Sequence, residues 1–255
     1  MDLQKAKFEY LLRLGDSSLI IGHRLSEWCG HGPILEEDIA LTNIALDFVG
    51  NATSLLTYAA QIEGKGRTED DLAYMRDERD YRNLLICEQP NGDYAATIAR
   101  QFLFDAYMFF LYEELKSSKD ETIAAIAVKS HKEITYHLRH TTQWMLRLGD
   151  GTAESQHRIL NAMQLLSPWI SEMFLPVDFD YEASSTGAGI QPEILKNEWF
   201  DRVNNVLVTA MLPEISSENK PLQILSGKKG VHSEQLTDLL AEMQILQRTY
   251  PGATW

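Results

Sequence analysis

Five side chains carry the chemistry that this sequence could perform: Glu27, Asp47, Asp105, Glu133 and His137. Asp105 stands in the three-and-four spaced series Ile98, Phe102, Asp105, Phe109, Tyr112, among large apolar groups. A second series reads Ile126, Ser130, Glu133, His137, Thr141, Trp144, with Glu133 and His137 stacked on one helical face. A third reads Ala40, Asn43, Asp47, Gly50, Ser54, and Glu27 lies near His23 and Arg24 on an earlier apolar segment. Carboxylates and imidazoles turned into a helical bundle are the groups that hold a pair of iron or manganese ions.

That chemistry requires a Glu from each of two helices and a Glu-x-x-His from each of the other two, so that both ligands of a pair reach one metal. The pattern fails twice here. Three residues before His137 stands Ile134, and the available Glu133 is four away. Three residues after Asp47 stands Gly50, followed by Asn51. A lone buried carboxylate costs several kcal/mol unless it is paired, hydrogen-bonded or neutralised. Two readings therefore remain. The residues form a metal-free ion-pair and hydrogen-bond network, with Arg24, Lys132 and Arg139 as candidate counter-charges. Alternatively, they hold an atypical di-metal or single-metal centre. A shift of one position in helix phase would turn Asp47 to solvent.

The elements that must position these residues are helices. Apolar periodicity predicts long helices over about Phe8–Cys29, Glu36–Glu63, Tyr94–Ser117 and from the SSKDE segment to Leu148. A shorter helix is expected over Asp71–Glu88, ended by the turn signal QPNGD. Further helices follow over about Ala153–Phe174, from Pro192, and over about Ser233–Thr249. Residues 175–191, rich in Gly and Ser, read as a loop with one small hairpin at most. Short connections between long helices favour antiparallel neighbours. The expected fold is all-α, an up-down four-helix bundle in a single domain 1–255, with its core over about 8–148 and a helical extension over about 153–255.

Composition narrows the functions. The chain has 255 residues, a net charge of -14, 44% hydrophobic and 24% charged residues. That balance suits a globular core and excludes nucleic-acid binding through a broad basic surface. The start MDLQKAKFEY has no apolar signal core, and no apolar run reaches the ~18 residues of a membrane span. A cytoplasmic location is expected. Cys29 and Cys87 form no disulfide framework or zinc spacing and are expected to pack as small hydrophobes. The mixed run Arg76, Asp77, Glu78, Arg79, Asp80, Arg82 reads as a solvated helix face, with an intersubunit ion-pair patch as the alternative. Trp28, Trp144, Trp169 and Trp199 read as core or interface anchors. Lys228 and Lys229, between glycines in SGKKGVH, lack the helix context of a phosphate loop; a surface turn or a partner contact is the favoured reading.

The strings RLSEWCGHGP, ALTNIALDFVGNA, RDERDYRNLLICEQPNGDYAATIARQFLFDA, KEITYHLRH, MLRLGDGT and GKKGVHSEQLTDLLAEMQILQ occur in order from about Leu12 to Trp255. They resemble the PaaC-type C subunit of the bacterial ring-1,2-phenylacetyl-CoA epoxidase. That resemblance implies a multicomponent monooxygenase that epoxidises the ring of phenylacetyl-CoA with O2 and electrons from NADPH. It implies a structural subunit with a ferritin-like four-helix bundle that pairs with a homologous di-iron catalytic A subunit, by which phenylacetyl-CoA is mainly bound. NADPH, flavin and iron-sulfur groups belong to a reductase subunit. No catalytic residue, cofactor or metal is expected in this chain, and Glu27, Asp47, Asp105, Glu133 and His137 become a vestigial ligand-like cluster. Lys228 and Lys229 become candidate partner contacts, and a homodimer is the expected form of the chain alone. The alternatives are a chain that itself activates oxygen at a metal, and a regulatory subunit that binds acyl-CoA.

Overall fold

The computed structural model describes residues 2–217 and 226–253. The fold is all-α, and the described residues contain no strand; one isolated bridge joins Ser226 and Val231. The chain forms two compact units, Met1–Glu88 with Val177–Ala183 and Ile224–Trp255, and Gln89–Pro176 with Ser184–Gln223.

The first unit is built on α1 (Leu3–Ser26) and α2 (Leu35–Glu63). Gln4 bonds the carbonyl of Ile62, Gly15 meets Leu56, and Gly22 meets Ala45, so the two helices run antiparallel. A Cβ on Gly15 would lie 2.8 Å from the Leu56 side chain, so this glycine sets the closeness of the pair. Gly64 ends α2 in the left-handed region (φ 68°), which glycine adopts without strain. The stripe that α2 buries is Leu41, Ile44, Ala45, Phe48, Leu55, Leu56 and Ala59. Asp47 is therefore off the buried face, and the expected series through Asn43 and Asp47 is out of phase. Apolar and small residues surround α2, so periodicity alone does not fix its orientation. By length and composition α2 is apolar enough to cross a membrane, a property that buried core helices share.

The stretch expected as a single helix over Asp71–Glu88 is broken into α3 (Glu69–Tyr74), a 3₁₀ turn (Glu78–Asp80) and α4 (Leu85–Glu88). Backbone N–H groups here turn to α1 instead of propagating a helix. Arg82 donates to the Asp16 carboxylate (2.8 Å) and Leu84 to the Ser17 hydroxyl (3.1 Å). Residues 175–191 hold no hairpin. They contain α8 (Asp178–Thr186), whose buried Phe179, Asp180 and Ala183 follow helical spacing. The Asp180 side chain accepts from Val177 N–H at 3.0 Å and anchors its start.

The second unit centres on α5 (Tyr94–Leu115), α6 (Glu121–Gly149) and α7 (Ala153–Met173). Tyr94 packs on Trp144 and Phe109 on His131, which makes α5 and α6 antiparallel. Asp93, Asp120 and Thr152 cap the three helices at their starts. Pro168 lies inside α7 and cannot donate to the Gln164 carbonyl; the Ser167 hydroxyl does so at 3.0 Å. The fully buried Trp199 of α9 (Lys196–Thr209) donates to the Leu103 carbonyl at 3.1 Å. The final helix of the sequence divides at Gln244 into α10 (Glu234–Met243) and α11 (Ile245–Thr249), in the first unit. Cys87 is buried as expected, but Cys29 is exposed.

Candidate functional site

In the second unit, α5 and α6 bring together Asp105, Gln101, His137 and Thr141, all essentially without solvent contact. The residues lie on facing stripes because α6 buries Ile123, Ala127, Ser130, Ile134, His137, Leu138, Thr141 and Met145. Gln101 donates to Asp105 Oδ1 at 2.6 Å, and Thr141 donates to Oδ2 at 3.1 Å. Burial pushes the Asp105 carboxyl up to about 7, against the opposing pull of His137, Gln101 and Thr141.

Glu133 does not join this group. It sits one turn away at the rim of α6, with its side chain 24% exposed and 3.6 Å from Lys129. Glu27 is exposed and pairs with Arg24 at 2.9 Å. Lys132 and Arg139 face solvent. Of the five ligand-like residues, only Asp105 and His137 share a buried centre. Among the described residues no group of three or more His, Cys, Asp or Glu is arranged to hold a metal.

Two buried centres in the first unit lie outside the expected set. Asp16 of α1 is gripped by Arg76 through both carboxylate oxygens. The Arg76 guanidinium lies 4.2 Å from the Tyr81 ring centroid. Burial acts to lower Arg76, and the Asp16 charge and hydrogen bond more than offset it, leaving Arg76 raised. Burial also raises Tyr81, whose hydroxyl donates to Ala73 and accepts from Gln244 at 2.8 Å. The run Arg76–Arg82 is thus not simply a solvated helix face: Arg76 is buried and Arg82 bonds Glu9 at 2.7 Å.

The other centre is Glu88, fully buried. One oxygen accepts from Asn83 (2.9 Å) and faces His232 Nδ1 (2.6 Å); the second accepts from Ser233 N–H (2.8 Å) and its hydroxyl (2.6 Å). Arg24, read as a counter-charge, pairs with Glu27 and also bonds the Glu88 carbonyl. A signal for both centres exists in the sequence. Asp16 and Glu88 each stand alone beside runs of apolar residues, LLRLGDSSLII and LLICEQP. Lys228, expected on a surface turn, is only 2% exposed, while Lys229 is exposed. Gly227 and Gly230 let the turn sink against Asn83 and Arg79.

These features define an all-α protein whose interior carboxylates are held mainly by arginine, histidine, amide and hydroxyl partners. The chain belongs to the phenylacetic acid catabolic protein family, whose model matches residues 2–255. It is 44% identical over 250 residues to the C subunit of 1,2-phenylacetyl-CoA epoxidase from Escherichia coli (strain K12), covering 96% of this chain and 98% of that protein.

Proposed function

We propose that this chain is a structural, non-catalytic subunit of an oxygenase that epoxidises the ring of phenylacetyl-CoA in phenylacetate catabolism. The observation that supports this reading is the 44% identity, over 96% of this chain, to a protein named as the C subunit of that epoxidase. In the cytoplasm it pairs with a homologous di-iron catalytic subunit, keeps it correctly shaped and leaves oxygen activation to it. Two features support the non-catalytic role. Glu-x-x-His is absent around His137, and Asp105 is satisfied by Gln101 and Thr141. Exposed Leu35, Ile39 and Leu46 on α2 suit a protein that works in a complex.

Metal quantification on the purified chain, combined with co-purification of a tagged catalytic subunit, tests the proposal. The expected result is substoichiometric iron and a stable complex. Two irons per chain, or no association, overturns it.

A further inference from the structure

Glu88 and His232 form a buried pair whose proton count is set by their neighbours. Nδ1 of His232 lies 2.6 Å from Glu88 Oε1, and its Nε2 lies 3.1 Å from the Tyr81 carbonyl oxygen. Neither side chain has solvent contact. A carbonyl oxygen only accepts, so Nε2 must carry a proton. The Asn83 amide donates to the same Glu88 oxygen, and the Ser233 N–H and hydroxyl donate to the other. One further proton must lie between Nδ1 and Oε1, whichever of the two carries it. Without it, two lone pairs would face each other at 2.6 Å.

The pair sits where the C-terminal segment joins the rest of the first unit. His232 and Ser233 immediately precede α10, which buries Leu236, Leu239 and Leu240. Arg24 of α1 donates to the Glu88 carbonyl (2.8 Å) and to the Gln235 carbonyl (3.1 Å), and pairs with Glu27. Thr237 donates to the Glu78 carboxylate. At the far end of α10, Gln244 donates to the Arg76 carbonyl and to the Tyr81 hydroxyl. On the near side, a Cβ on Gly227 would lie 2.0 Å from the Asn83 carbonyl oxygen, and Lys228 is buried in the same turn. The charged and titratable groups around the pair are thus Arg24, Glu27, Glu78, Tyr81 and Lys228, and Arg24 reaches it through the Glu88 backbone.

We propose that the Glu88–His232 contact is a one-proton latch on α10. The helix is held against the 76–88 segment while the shared proton is present, and is loosened when that proton passes to solvent. Its loss leaves a buried carboxylate against an imidazole lone pair, two acceptors with no donor between them. Moving the 231–235 backbone outward relieves the contact by letting water reach both groups. The Asp16–Arg76 pair holds the start of the 76–88 segment on α1 by separate bonds, so the opening is confined to the C-terminal side. This inference does not depend on the structural-subunit reading.

Amide hydrogen exchange of the full chain from about pH 5 to about pH 10, with each rate divided by its intrinsic value at that pH, tests it. Protection across residues 234–243 is expected to fall by roughly tenfold or more in one step as the pH rises, while that of α1 and α2 stays constant. His232→Gln cannot hold the shared proton, so its protection should be low at every pH, with no step. Ser233→Ala removes one donor but keeps the Glu88–His232 contact, so its protection should fall and its step remain. The step should also survive Asp105→Asn, which removes the carboxyl raised to about 7 in the second unit. Circular dichroism must show His232→Gln folded. Should it not fold, the ring nitrogen signals of His232 in the native chain decide, because their change must share a midpoint with the step. A flat native profile, a step that persists in His232→Gln, a step abolished by Asp105→Asn, separate midpoints, or a loss of protection shared by α1 overturns the proposal.

Discussion

Arg76 holds Asp16 through both carboxylate oxygens across a separation of 60 residues, deep inside the first unit. The pair does more than neutralise a charge. It draws the 76–84 segment onto α1, so that Arg82 N–H reaches the same carboxylate and Leu84 N–H reaches Ser17.

Removing one partner of this pair should be costly because the other is left charged and buried. Arg76→Met and Asp16→Leu are each expected to destabilise by about 3–5 kcal/mol, whereas the double variant should cost less than the sum of the single changes. Urea denaturation of the four proteins measures this. Strictly additive losses would show that the two residues do not act as a pair.

Asp105 predicts a specific pH dependence. Its folded value of about 7 lies above the ordinary 3.8, mainly through burial. Its contribution is therefore fully present below about pH 4 and is lost as pH rises through about 7, a change on the order of 4 kcal/mol. Asp105→Asn can retain acceptance from Gln101 without the ionisation. Relative to this variant, the native chain should lose stability between about pH 4 and pH 7. Melting curves across that interval check it, and a constant difference would mean that Asp105 does not titrate there.

Two glycines in helices should respond with opposite sign to the same substitution. At Gly149 a new methyl would lie 2.1 Å from the Ala210 carbonyl oxygen, so Gly149→Ala should destabilise by about 1–3 kcal/mol despite alanine's helix preference. At Gly50 nothing lies within 4 Å, so Gly50→Ala should stabilise by about 0.5–1 kcal/mol. Thermal unfolding of the two variants distinguishes them, and equal shifts would contradict the packing at Gly149.

The sequence by itself determined the all-α class and the positions of the long helices, because periodicity is local. It also located Asp105 and His137, since both fall on three-and-four spaced seams, Asp105 among large apolar groups. The failure of the Glu-x-x-His spacing was equally legible, because it concerns residues within one turn. What only the tertiary structure decided is which charges are buried and with whom. Asp47 and Glu133 fell off the buried stripes by part of a turn, a difference that a helix with mixed faces does not announce. Arg76, read among solvated charges, is buried because Asp16 lies beneath it. Lys228 is buried because two glycines let its turn sink against 79–83. Such pairings depend on contacts between residues far apart in the chain, and the energy of a buried charge is set by those contacts rather than by its sequence neighbours.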